Sequence, residues 1–137
     1  MTIELVPLGT MTFTLATTTF LTDTPRGTRV IVEVNNGTLV GDRIRAKQHG
    51  VAAADWLTVD AQGLGTLDVR GVFETDDGAL IYMTYNGRMD TTAGTGPITA
   101  PLFDTGDERY RWLAKIQAVA KGTIDGETLT YEVYEAR

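Results

Sequence analysis

Apolar and polar residues alternate along much of this chain, and that periodicity constrains its fold more than any other feature. Met11, Phe13 and Leu15 alternate with Thr12 and Thr14, which places the two sets on opposite faces of a strand. The same pattern recurs over residues 28–34, 65–74, 79–85 and 127–135. Threonine, valine, isoleucine and tyrosine fill these stretches, and such side chains favour half-buried strands. The sequence therefore predicts an all-β fold.

Short turn sequences separate the predicted strands. Residues 35–37, 76–78 and 125–126 combine Asn or Asp with Gly, which tolerate positive φ, and residues 60–63 suit a slightly longer turn. Strands joined by short turns predict an antiparallel meander. About eight strands in a domain of this size avoid exposed edges by closing into a barrel. We therefore expect a single domain over residues 1–137, a closed antiparallel barrel that is filled by side chains or holds one small ligand.

Little helix is expected. Thr105 with Glu108 three residues later forms a capping-box pattern, which predicts one short helix over residues 106 to about 110 and then a strand over residues 112–120. Residues 90–101 show no periodicity and contain two glycines and two prolines. We interpret them as a mobile loop, a candidate lid over one mouth of the barrel.

Composition narrows the possible chemistry. The chain has no cysteine, no serine and a single histidine, His49, so Ser-His-Asp triads, cysteine nucleophiles and multi-histidine metal centres are excluded. Asp104, Asp107 and Glu108 lack the spacing of a calcium loop, and a capped helix start explains them better. We expect no metal and no cofactor, which leaves acid–base and electrostatic catalysis.

Charge and hydropathy bear on the partners. The formal charge is -6, which argues against nucleic acid because phosphate binding needs a basic face. Arg43, Arg45 and Lys47 alternate, so they form either a solvated strand face or an anion-attracting rim. No signal-peptide pattern is present, and no run approaches the roughly 18 apolar residues of a membrane span. We expect a cytoplasmic protein that binds a small molecule, neither nucleic acid nor membrane, and forms a homo-oligomer.

Several ionisable and aromatic residues are candidates for a site. Asp68 and Arg70 share the polar face of one strand, which either faces solvent or places an ion pair inside the barrel. Asp55 stands beside Trp56 at a strand start and is either a desolvated acid or base or a turn cap. Tyr82 and Tyr85 lie on opposite faces of one strand, so only one of them can line the interior. Tyr110 and Trp112 follow the predicted helix and can close the mouth of the barrel.

Seven segments together resemble the domain of unknown function 3237 family, and they span nearly the whole chain. They are Ala54-Asp55-Trp56-Leu57, Leu67-Asp68-Val69-Arg70, residues 74–82, Tyr85-Asn86-Gly87-Arg88, Phe103-Asp104-Thr105-Gly106, residues 109–113 and Tyr131-Glu132-Val133-Tyr134. The resemblance implies a small antiparallel barrel similar to calycin or allene-oxide-cyclase barrels. It also implies pocket-lining positions for Asp55, Asp68, Arg70 and Tyr82. The family usually has Trp-Leu-Asn where this chain has Trp112-Leu113-Ala114. If that asparagine binds a ligand elsewhere in the family, this chain has lost the contact or binds a different, less polar ligand.

Two functions from different classes follow. The first is a cofactor-independent lyase, isomerase or cyclase acting on a small hydrophobic or aromatic metabolite. The second is a binding protein without turnover, or an oligomeric scaffold. For the enzyme we predict catalytic roles for Asp55, Asp68, Arg70 and Tyr82. We predict substrate-binding roles for Trp56, Glu74, Tyr85, Arg88, Tyr110 and Trp112.

Overall fold

Ten strands make up about two-thirds of the protein in a computed structural model that describes residues 1–137. In chain order the strands are β1 (Leu5–Thr24), β2 (Gly27–Val40), β3 (Arg45–Gln48), β4 (Ala54–Val59), β5 (Leu64–Thr75), β6 (Leu80–Asp90), β7 (Ile98–Thr99), β8 (Leu102–Asp104), β9 (Gln117–Asp125) and β10 (Thr128–Ala136). The helical content is two 3-10 turns, Glu108–Tyr110 and Leu113–Lys115. The all-β prediction is confirmed.

The pairing of the strands leads around one antiparallel sheet and returns to its start. β1 pairs with β2 and with β10, and β10 pairs with β9. On the other side, β2 pairs with β4, β4 with β5 and β5 with β6. β7 joins β6 to β9. Two short strands add to this cycle of eight. β3 pairs with β2 and with β5, and β8 pairs with β6. The predicted count of about eight strands is therefore wrong.

The apolar faces of the predicted strands point inward. The buried residues of β5, β6 and β10 recur at every second position, as the alternation predicts, and those of β1 do so at Met11 and Phe13, beyond a register shift near Leu8. The rings of Phe13 and Phe73 lie 6.0 Å apart in the core. These four strands contribute much of the core, which includes Met11, Phe13, Leu67, Val69, Phe73, Ile81, Met83, Tyr85, Leu129, Tyr131 and Val133.

Three of the four predicted turns are present. Turns at residues 60–63, 76–78 and 125–126 join β4 to β5, β5 to β6 and β9 to β10. Residues 35–37 form no turn, because β2 runs through them. Asn36 adopts a φ of 54° there, and the register against β1 shifts between Thr12 and Thr14. The left-handed residue is therefore part of a bulge within a long strand.

The predicted helix and loop both differ from the structure. Asp107, not Thr105, caps the first 3-10 turn by accepting a hydrogen bond from the Arg109 backbone N–H. The Thr105 hydroxyl instead accepts from the Asp107 N–H and donates to the Leu80 carbonyl oxygen. β9 begins at Gln117, five residues later than predicted. Within the loop predicted over residues 90–101, a turn is followed by β7, whose two residues bridge β6 and β9.

The 3-10 segment is fastened over one end of the interior. Leu113 is fully buried, and Tyr110 packs partly against the core. The Tyr110 hydroxyl donates to Asp77 Oδ1 at 2.9 Å, and the Thr75 hydroxyl donates to the same oxygen at 2.6 Å. These hydrogen bonds hold the pKa of Asp77 below its ordinary value. The turn between β5 and β6 therefore holds the segment in place.

The opposite end of the sheet extends into a long hairpin. Pairing of β1 with β10 ends at Thr14 and Thr128, while pairing of β1 with β2 continues to Thr24 and Gly27. The projecting part of β1 therefore has one free edge, and Phe20 and Leu21 are exposed on it. Neither 3-10 turn is long or apolar enough to span a lipid bilayer.

Candidate functional site

An apolar cavity of about 90 Å³ occupies the half of the interior remote from the 3-10 turns. By contrast, the interior around Phe13, Phe73 and Met83 is filled by side chains and has no space for a water molecule. The polar side chains of the cavity wall are Asp55, Tyr85 and Tyr131. The full lining is Leu15, Val32, Val34, Asp55, Leu57, Leu67, Val69, Tyr85, Met89, Pro97, Ile124, Leu129 and Tyr131.

Asp55 is held in the cavity wall by the strand next to it. It lies on β4, facing Val32 of β2 and Val69 of β5. Its Oδ1 accepts a hydrogen bond from the Asp68 backbone N–H at 3.0 Å. The β4–β5 ladder has the same register before and after this hydrogen bond, but residues 56 and 57 of β4 have no paired residue in β5. The carboxyl group thus takes the place of a backbone acceptor, which fixes its position.

The surroundings of Asp55 alter its acidity. Burial in the cavity wall raises the pKa of its carboxyl group to about 6. The hydrogen bond from the Asp68 N–H opposes this rise, and the nearby Asp68 carboxylate adds to it. A partly buried carboxyl with a pKa near neutrality can both accept and return a proton at physiological pH.

Two tyrosine side chains stand beside this carboxyl group. The rings of Tyr85 and Tyr131 meet edge to face, with centroids 5.3 Å apart. Burial is the main cause that raises the pKa of both hydroxyl groups, so both stay protonated. The Tyr131 hydroxyl raises the pKa of Tyr85 further, the Tyr85 hydroxyl lowers that of Tyr131, and the Asp55 carboxylate adds a smaller rise to both. Tyr131 Oη is buried without a hydrogen-bond partner. Gly122 makes room for this ring, because a Cβ there would lie 2.7 Å from Tyr131 Cε1.

Of the ten predicted site residues, Asp55 and Tyr85 line the cavity. Asp68, Arg70 and Tyr82 do not line this cavity, since all three side chains are exposed on the outer face of the sheet, and their predicted roles stay predictions. In β5 the apolar residues occupy the inner face, so the polar alternates face solvent. In β6 Tyr85 takes the inner phase, which leaves Tyr82 on the outside.

Trp56, Glu74 and Arg88 also lie outside the cavity. The Arg70 guanidinium stacks 4.8 Å from the centre of the Trp56 ring. Glu74 lies 3.6 Å from His49 Nδ1, and Arg88 donates to the Thr66 hydroxyl at 2.6 Å. These contacts are made between neighbouring strands on the solvent side.

Tyr110 and Trp112 pack at the filled end of the barrel-like sheet. Trp112 lies beneath the Arg43 guanidinium, which is 3.7 Å from the ring centre and 3.5 Å from Glu135. Tyr110 is bound to Asp77. Both aromatic residues therefore cover an end of the interior, as predicted, but it is the end without the cavity.

A wide groove on the outer face is the alternative site. Its volume is about 730 Å³, and Asp68, Asn86, Arg88, Ile98 and Val119 are among its lining residues. It is open to solvent, and Arg88 is already engaged by Thr66. Charged groups that stay hydrated are poorly placed to do acid–base chemistry, so the interior cavity is the stronger candidate.

Tyr131 is the cavity residue that the sequence did not single out. The alternation in 127–135 puts it in phase with Leu129 and Val133, which are apolar. An aromatic residue with a hydroxyl group on an inward apolar face was the available signal. The structure brings no three histidine, aspartate or glutamate side chains together in a group that could hold a metal ion.

A family model described as "protein of unknown function (DUF3237)" matches residues 3–136. The chain belongs to the DUF3237 family. The DUF3237 protein is also 27% identical to a UPF0311 protein of Bradyrhizobium diazoefficiens, over 82% of this chain and 83% of that protein.

Solved structures share the fold of this DUF3237 protein. A β-barrel-like protein from Acinetobacter baumannii is 28% identical, with a TM-score of 0.88 over 100% of this chain and 98% of its own. A conserved protein of unknown function from Rhodopseudomonas palustris is 23% identical, with a TM-score of 0.90 over 100% and 99%. A protein described as an enzyme from Penicillium herquei is 20% identical, with a TM-score of 0.75 over 99% and 94%. The last two likenesses show the fold alone.

Proposed function

We propose that this protein is a cofactor-independent acid–base enzyme of the isomerase, lyase or cyclase type, with Asp55 as its base. Its substrate is a small hydrophobic molecule held in the interior cavity. The observation that carries the proposal is a single carboxyl group in an apolar cavity beside two buried tyrosine hydroxyls. A closed barrel, the finer interpretation of the cyclic strand pairing, would exclude water from this reaction.

The division of labour follows from the positions of the three groups. The Asp68 N–H anchors one oxygen of Asp55, which leaves the other oxygen available to a ligand in the cavity. Tyr85 and Tyr131 supply hydrogen-bond donors to the atom that gains negative charge. In this scheme Asp68 acts through its backbone, and Arg70 and Tyr82 have no part in the reaction.

A binding protein without turnover is the second candidate, because a small apolar cavity also suits a carrier. The partly buried Asp55 carboxyl favours the enzyme. A carrier of apolar molecules gains nothing from a desolvated carboxyl group that an asparagine or leucine could replace. The predicted homo-oligomer stays a proposal, for which the exposed Phe20 and Leu21 of the free β1 edge are available.

Conversion of a host metabolite tests the proposal. Small-molecule extract of the source organism is incubated with wild type, with Asp55→Asn and with Asp104→Asn, and is then followed by liquid chromatography and mass spectrometry. Asp104 is an exposed carboxylate on β8 and serves as the matched control. We expect a metabolite to be consumed by wild type and Asp104→Asn but not by Asp55→Asn.

The pH dependence gives a second readout. A base must be deprotonated, and the pKa of Asp55 is raised to about 6, so kcat/KM should fall as pH drops through about 6. A metabolite that binds in Asp55→Asn and wild type alike and leaves both unchanged would establish the carrier instead.

A further inference from the structure

The cavity wall carries no positive charge. Among its lining residues there is no lysine, arginine or histidine, and the one group that ionises near neutral pH is the Asp55 carboxyl. A carboxylate or phosphate placed there would lose its hydration and would face a negative charge without compensation. A molecule that enters this cavity is therefore uncharged at the end that enters.

The cavity also holds an unused hydrogen-bond donor. Tyr131 has no solvent exposure, and its hydroxyl group has no acceptor in the protein, because the neighbouring Tyr85 hydroxyl is the one that donates toward it. A buried polar group without a partner is unfavourable, and a ligand oxygen that accepts from it would remove that penalty. Tyr85, whose ring lies against that of Tyr131, gives a second hydroxyl at the same place. The ligand thus carries a hydrogen-bond acceptor such as a carbonyl oxygen.

We infer that the substrate is an uncharged carbonyl compound, and that Asp55 removes a proton from the carbon next to its carbonyl group. This inference rests on the proposed acid–base function of the same cavity. The carboxylate takes the proton, the C–H electron pair forms the C=C bond of an enolate, and the carbonyl π electrons move to the oxygen. The tyrosine hydroxyls donate to that oxygen. The Asp55 carboxyl then returns its proton to carbon, at the same or a conjugated position, so no other reactant is needed.

The size of the cavity limits what lies inside it. About 90 Å³ is less than the roughly 150 Å³ that accommodates the six carbon atoms of benzene, so the enclosed part has about three or four non-hydrogen atoms. The exposed Ile124 and the partly buried Leu15 and Met89 line the cavity where it approaches the surface. The reacting carbonyl end therefore lies inside, and any larger remainder of the substrate extends past these apolar side chains.

Hydrogen–deuterium exchange on the substrate tests the inference without the natural substrate. In D₂O, enolisation replaces the hydrogens next to a carbonyl group with deuterium, which proton NMR follows directly. The probes are 2-butanone and a matched pair of equal size, 5-methyl-2-hexanone and 4-oxopentanoate, which differ by an isopropyl group in place of a carboxylate. The proteins are wild type, Asp55→Asn, Tyr131→Phe and Asp104→Asn, each checked for folding by circular dichroism.

We expect wild type and Asp104→Asn to accelerate exchange of both neutral ketones over buffer, and to leave 4-oxopentanoate at the buffer rate. Asp55→Asn should abolish the acceleration. Tyr131→Phe should reduce it by about 10- to 100-fold while the pH profile set by Asp55 is retained. Retention of that profile would show that the tyrosine acts on the oxygen rather than on the acidity of the base.

The other outcomes separate this inference from the proposed function. Exchange of 4-oxopentanoate as fast as of its neutral partner would overturn the requirement for an uncharged substrate. Absence of ketone exchange, together with Asp55-dependent consumption of a host metabolite, would overturn the carbonyl class and leave the acid–base function standing. Absence of both activities would overturn the two together.

Discussion

The Asp55 carboxyl makes folding depend on pH. Its pKa is raised to about 6 by burial, whereas an aspartate in an unfolded chain titrates near 4. Between these two values the folded protein binds more protons than the unfolded chain. The free energy of unfolding therefore falls as pH rises from about 4 to 6 and stays lowered above that. A residue that lowers stability at neutral pH, yet is anchored by its own backbone hydrogen bond, is typical of a functional position.

Replacing Asp55 with asparagine should therefore stabilise the protein at high pH. The amide can still accept the Asp68 N–H but has no charge to desolvate. At pH 8 we expect Asp55→Asn to raise the free energy of unfolding by about 1–3 kcal/mol, and at pH 4 or below by close to nothing. Urea denaturation at both pH values measures the difference. Asp104→Asn should show no such pH-dependent gain, and an Asp55→Asn protein no more stable than wild type at pH 8 would contradict the burial of an ionised carboxyl.

At the scale of single residues, the sequence predicts which side chains share a face but not all of the site. The phase of Leu67, Val69 and Phe73 predicts that Asp68 and Arg70 face solvent, and the structure agrees with this simpler expectation. The family resemblance instead implied that these residues line a pocket. A sequence motif can, however, mark an exposed contact between strands as well as a pocket. The gap in the β4–β5 ladder that admits Asp55 depends on two strands distant in sequence, so no local pattern encodes it.

At the scale of elements, several residues of the segments that resemble the family stabilise the filled end of the molecule, where the 3-10 turns lie. Arg109 donates to Asp107 Oδ2 at 2.8 Å and to the Asp77 carbonyl oxygen at 3.0 Å. With the hydroxyls of Thr75 and Tyr110, it ties the turn between β5 and β6 to the 3-10 segment. Two short elements with little intrinsic stability are thus held by each other.

Removal of one hydrogen bond tests this tie. Tyr110→Phe deletes the hydroxyl group that donates to Asp77 and keeps the ring that packs on the core. We expect the midpoint of thermal unfolding to fall by about 2–5 °C, with no effect on ketone exchange at the distant cavity. Tyr134→Phe is the control, because Tyr134 makes no side-chain hydrogen bond. Equal melting temperatures for the two variants would show that the tie does not stabilise the fold.

Elements with regular alternation are predictable from the sequence, and those fixed by partners are not. The strands around Phe13, Phe73 and Tyr131 follow from period-two patterns. Asn36 carries a turn signal, but two flanking strands hold it in a bulge. β7 has two residues and no periodicity of its own, and it is a strand because β6 and β9 present hydrogen-bonding edges on either side.

At the scale of the whole molecule, the cycle of strands has one weak position. The ladder between β5 and β6 has eleven facing pairs, whereas β7 faces β6 and β9 through two pairs each. Hydrogen bonds from Ala100 to Asn86 and from Gly122 to Pro97 extend this seam a little. Met89, Pro97 and Ile124 of the cavity wall flank β7, so opening of the seam would uncover the cavity. Local openings of this kind occur where few pairs hold a segment.

A disulfide across the seam tests whether it opens on its own. Ile98 and Lys121 face each other on the exposed side, within the distance a disulfide spans, and the chain has no other cysteine to interfere. In wild type we expect the amide protons of Ala100 and Gly122 to exchange with D₂O at least about 10-fold faster than those in the middle of β5 and β6. In oxidised Ile98→Cys/Lys121→Cys the exchange rates of the two sets of amide protons should become similar, and reduction of the disulfide should restore the difference between them. If both sets exchange at one rate in wild type, the seam opens only when the whole sheet unfolds, and a ligand must enter past Ile124 and Leu15 instead.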